Sequence, residues 1–63
     1  MEENEVIAIM KNMETQFEEA AEDAVKFAEG NKSAGTRVRK AMQNIKNLAQ
    51  QVRIEVQDQK NSE

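Results

Sequence analysis

The sequence predicts an all-α protein, a two-helix antiparallel hairpin that dimerises into a four-helix bundle. Three observations lead there. Proline is absent and the two glycines, Gly30 and Gly35, sit close together mid-chain, so the chain is punctuated once. On either side of that point apolar residues recur at alternating steps of four and three, the period of a helix and not of a strand. Finally, a chain of 63 residues buries too little apolar surface to be comfortably stable alone, and with no cysteine and no histidine it has neither a disulfide nor a Cys/His zinc site as a staple. Association between copies is the remaining common solution, and a homodimer is expected. A charged fraction of 33% with 3% aromatics would suit a disordered segment, but the strict apolar period argues for order.

The first helix is expected over about residues 4–29. Asn4 is placed to cap it, with Glu2, Glu3 and Glu5 near its positive end. Its apolar seam is Val6, Met10, Met13, Phe17, Ala20, Ala24 and Phe27, widened by Ile7, Ala21 and Ala28. The turn falls at about 30–31, where Gly30 closes the helix as its left-handed C-terminal residue and Asn31 caps the next one. The second helix, about 32–60, repeats the alternation with Ala34, Val38, Ala41, Ile45, Leu48 and Val52, widened by Met42, Ala49 and Val56. The phase already includes Ala34, which favours Asn31 over Ser33 as the cap and puts Gly35 in the first turns. A stripe of three positions in seven is wider than a two-stranded coiled-coil seam and suits a helix with two neighbours. Each helix would run roughly 40 Å at 1.5 Å per residue. The chain reads as one domain, 1–63, with Asn61 to Glu63 expected to fray. No transmembrane segment is visible, and the apolar run Val6 to Met10 is too short for a signal peptide, so a cytoplasmic location is expected.

The charges are segregated. Residues 1–30 hold nine acids against Lys11 and Lys26, a balance of -7, whereas residues 31–63 hold seven bases against Glu55, Asp58 and Glu63, a balance of +4. From Gly30 to Ile54 there is no acid, while Lys32, Arg37, Arg39, Lys40, Lys46 and Arg53 all fall in that span. Lys32, Arg39, Lys46 and Arg53 are seven apart and form one stripe beside the widened edge of the apolar face, with Arg37 and Lys40 on the other flank. Such a row is ordinarily a solvated face, or pairs with acids such as Glu14, Glu18, Glu22 and Asp23. Two features favour an anion partner. Four of the bases crowd the N-terminal turns, where cations oppose the helix macrodipole, and the free N–H groups at that end attract anions, with Gly35 letting a phosphate or a neighbouring backbone come close.

Catalysis is not expected, because no nucleophile, base and orienting group form a set. No metal site is expected either, since Glu18, Glu19, Glu22 and Asp23 lack the histidines and the inward placement of a bundle metal centre. A nucleotide cofactor or other small-molecule substrate is not expected without a glycine-rich strand-turn-helix. Phe17 and Phe27 lie on the core stripe, so base stacking is not expected. Duplex nucleic acid bound through its phosphates, without sequence preference, is the economical reading.

The chain from Lys26 to Asn61 resembles the bacterial linker-histone-like proteins, a family that includes the chlamydial nucleoid-condensing histone-like protein and short relatives in the Bacteroidetes group. The resemblance is carried by Gly30-Asn31-Lys32, by Ala34-Gly35-Thr36-Arg37-Val38-Arg39-Lys40, and by Leu48-Ala49-Gln50. It implies a small helical DNA-associated protein of the nucleoid that organises the chromosome, with Lys32, Arg37, Arg39 and Lys40 the bases to carry over. The lysine- and alanine-rich C-terminal tail of the chlamydial pattern is not in this sequence, which implies weaker binding by the helical body, or a body that serves mainly to dimerise. The rival expectation is therefore a helical dimerisation or protein-interaction module whose bases only balance its acids. A third is an acidic first helix that docks on a basic partner.

Overall fold

A computed structural model describes residues 4–61. Over them the chain is two α-helices packed side by side, α1 (Glu5–Ala28) and α2 (Lys32–Asn61), joined by a turn of residues 29–31. Glu2 and Glu3, expected near the start of α1, lie outside the described residues, as do Ser62 and Glu63. Asn61 is the last residue of α2, and its Oδ1 accepts from Gln57 Nε2 at 3.3 Å.

Asn4 has extended backbone angles and its Oδ1 accepts the Val6 N–H at 2.8 Å, which satisfies one of the orphan donors of the first turn. The same side chain has a second task. Its Nδ2 donates to Gln59 Oε1 at 2.8 Å while Gln59 Nε2 donates back to Asn4 Oδ1 at 3.0 Å, so one amide both caps α1 and ties the open end of the hairpin to α2.

At the closed end Gly30 N–H bonds to the Phe27 carbonyl and Asn31 N–H to the Lys26 carbonyl, both at 3.0 Å, the paired bonds of a Schellman motif. Asn31 then turns round to serve α2, because its Oδ1 accepts the Ala34 N–H at 3.1 Å. One residue thus finishes one helix and starts the next. Gly30 has φ +105°, and a Cβ there would meet nothing within 4 Å, so the effect of Gly30→Ala lies in the backbone alone. That substitution is expected to cost about 1–2 kcal/mol, the usual penalty for an L-residue in a left-handed conformation. Urea unfolding at fixed protein concentration measures it, and an unmoved midpoint would mean that the turn does not hold this geometry.

Packing between the helices divides the apolar stripe of α1 lengthwise. Val6, Ile9, Met13, Gln16, Ala20 and Asp23 are partly or fully covered, whereas Met10, Phe17 and Phe27 remain 56%, 62% and 55% exposed and Ala24 is exposed as well. On α2 the half-buried or buried positions include Ala34, Val38, Ala41, Ile45, Leu48 and Val52, while Met42 and Val56 stay open. One neighbour covers one side of a stripe wide enough for two. Among the described residues only Ala20 and Ala34 are fully buried. The molecule measures 51 × 22 × 11 Å, one helix thick, with a radius of gyration of 14.9 Å. A compact chain of this length would have roughly 11 Å.

Candidate functional site

The two broad sides of the hairpin differ in chemistry. One carries a groove between the helices with Ala20 and Ala41 in its lining and Asn12, Gln16, Glu19, Asp23, Arg37 and Lys40 among its polar members. The opposite side is a run of shallow apolar depressions, with Met10, Met13, Phe17 and Ile45 toward the middle and Ala21, Ala24, Val38 and Met42 nearer the turn. At the tip this apolar side ends against Phe27, Gly35, Thr36, Lys32 and Arg39.

The six bases read from the sequence distribute over both sides. Lys32 and Arg39 stand on the rim of the apolar side, and Lys46 and Arg53 continue their row along α2 at seven-residue steps, all exposed. Arg37 and Lys40 stand on the polar side. The first turn of α2 contains no acid, so the tip joins four bases to the positive end of a 30-residue helix. Arg37 is occupied, for its Nε lies 3.0 Å from Asp23 Oδ1. Among the described residues Lys32, Arg39, Lys40, Lys46 and Arg53 make no ion pair. The Arg37 side chain is 49% exposed and that of Asp23 19%, and a pair whose cation reaches water is worth about 1 kcal/mol, so Arg37 can exchange its carboxylate for another anion at small cost.

Gly35 has a different reason from the one expected. The space above it is taken by Phe27, and a Cβ built there would fall 2.6 Å from Cδ1 of that ring. The glycine seats an aromatic ring across the turn and does not leave room for an anion. Residues 27 and 35 flank Asn31 at equal distances in sequence, which is the signal that could have disclosed the contact. Among the described residues no group of three or more acidic, cysteine or histidine side chains could hold a metal ion, and no helix is long and apolar enough to cross a membrane.

Compared with known proteins, residues 8–62 match the family described as Histone H1-like protein Hc1. No curated protein and no solved structure matches the chain.

Proposed function

The chain belongs to the histone H1-like Hc1 family, and we propose from that premise that it is a small DNA-binding protein of the bacterial nucleoid, which holds duplex phosphates without sequence preference through the tip and outer face of α2. The observation that carries this reading is the row of bases that have no ion-pair partner among the described residues, on a helix that begins with no acid. Stability does not account for Lys32 in the first turn of α2, because a cation there is mildly unfavourable, and it does not call for Arg39 and Lys40 farther along. A phosphate backbone does account for them, since each contact releases condensed counterions and needs no particular base. No catalytic step belongs to this reading.

The working form is a homodimer, with two apolar sides closed on each other into a four-helix bundle. The hairpin exposes 5232 Å², against roughly 4,100 Å² for a compact monomer of its 7.2 kDa. The excess, roughly 1,100 Å², is of the size that one partner buries in a standard interface, about 800 Å². The open apolar side also supports the rival reading, a helical interaction module that never meets nucleic acid.

Fluorescence anisotropy of a labelled 30-base-pair duplex separates the two. Wild-type protein is expected to bind at low salt, and the Lys32→Ala, Arg39→Ala, Lys40→Ala triple variant to lose that binding with its dimer intact. These three are chosen because their removal leaves the Arg37–Asp23 link in place. No wild-type binding at low salt would leave the interaction module as the function.

A further inference from the structure

Within the dimer reading above, on which this inference rests, we propose that the two hairpins lie face to face with their tips at the same end, α1 of each copy covering α2 of the other. Charge is complementary along the two rims of the apolar side. On α2 the rim is an unbroken row of bases, Lys32 and Arg39 beside the groove at the tip and Lys46 and Arg53 farther along. On α1 the rim carries Glu14, which lines the same side beside Met10 and Phe17, with Glu18 one turn on. Ile7, Ala21 and Ala28 share the edge of Glu14 at seven-residue steps and add no charge.

Two twofold arrangements bring these sides together. With tips at opposite ends, α2 lies along its own copy, and the row of bases meets itself, Arg39 beside Lys46 and Lys32 beside Arg53. On the other rim Glu18, level with the midpoint between Arg39 and Lys46, meets Glu18 of the second copy, so like meets like along both edges. With tips at the same end, α1 lies along α2 of the other copy. The contacts Asp23–Arg37 and Asn4–Gln59 set the level of each residue within the hairpin. By that ruler Glu14 stands level with Lys46, and Glu18 between Arg39 and Lys46, so the acids of each copy face bases of the other. Lys11, on the edge of Glu18, falls level with the gap between Lys46 and Arg53, which confines the attraction to the middle of the bundle.

This arrangement has a consequence for binding. It gathers Lys32, Arg37, Arg39 and Lys40 of both copies at one end, so a dimer grips a single duplex segment there. Lys46 is partly engaged by the partner copy and contributes less to DNA than the tip does.

The absence of cysteine allows a single Ser33→Cys variant to carry a spin label at the exposed tip. Sedimentation establishes the mass, and dipolar spectroscopy measures the distance between the two labels. The expected result is a dimer with labels within about 30 Å, the width of a bundle with side chains and labels, and not about 40 Å or more along the helices. A dimer with the long distance overturns the arrangement and leaves dimerisation standing. A monomer at every concentration overturns both. An independent readout is the sign of the effect of Lys46→Glu on the dimer constant. Tips together, it faces Glu14 and weakens association about tenfold, and Glu14→Lys in the same chain restores it. Tips apart, it faces Arg39 and tightens association, which would exclude the proposal.

Discussion

Lysine in place of Phe17 is expected to unfold the protein at micromolar concentration. In the isolated hairpin the substitution should be almost neutral, because Phe17 is 62% exposed and a lysine there would stand in water. In the proposed dimer the same side chain lies at the centre of the closed apolar side, together with its symmetry mate. Two ammonium groups would enter that interface without partners, and the penalty for an unpaired charge after relaxation is still several kcal/mol for each. Dissociation then becomes unfolding, since the separated hairpin keeps only Ala20 and Ala34 fully buried among its described residues, far short of a core that could hold two helices together. Circular dichroism at 222 nm across a concentration series, with sedimentation alongside, reads both steps. A variant that stays fully helical as a monomer would show that the hairpin needs no partner and that its apolar side is free for something else.

The local structure was legible in the sequence because it depends on local chemistry. Asn4, Gly30 and Asn31 occupy the cap and turn positions that their side chains and backbone freedom suit, and the bonds they make span only a few residues. The rotation of each helix about its own axis was less legible. Periodicity says which residues share a face, but a stripe wide enough for two neighbours does not say which half meets the first one. Hence Ile9, Gln16 and Asp23 lie toward α2 while Phe17 and Phe27, the largest members of the stripe, face out. Contacts that join distant positions were also hidden. Asn4 and Gln59 are both common amides, and nothing local links them. Asp23 was one of four acids able to answer a base, and only the turn geometry sets it opposite Arg37. The role of Gly35 was hidden for the same reason, because its neighbour above is eight residues earlier in the chain and across the turn.

The affinity for duplex DNA is expected to fall on the order of a thousandfold between 50 and 200 mM salt. A dimer presents the six bases of each copy twice, and engagement of about half of them gives a logarithmic salt slope near -5. The slope counts phosphates held, so it also locates them. Removing Lys32, Arg39 and Lys40 takes the unpaired bases of both tips and should flatten the slope by several units, close to one for each phosphate no longer held. Removing Lys46 and Arg53 instead should change it by about one unit or less if the tip is the grip. Asp23→Asn offers the opposite test. It removes the charge that opposes a phosphate at Arg37 while its amide oxygen can still accept from Arg37 Nε. Asp23→Ala, which also removes that acceptor, is the full release and should add a phosphate contact in each copy, steepen the slope and tighten binding several-fold at low salt. If the Lys46 and Arg53 variant proves the damaging one, the duplex lies along the length of α2 and not at the turn. A flat salt response from the wild-type protein would remove phosphate binding altogether, because no arrangement of these bases can hold a polyanion without displacing its counterions.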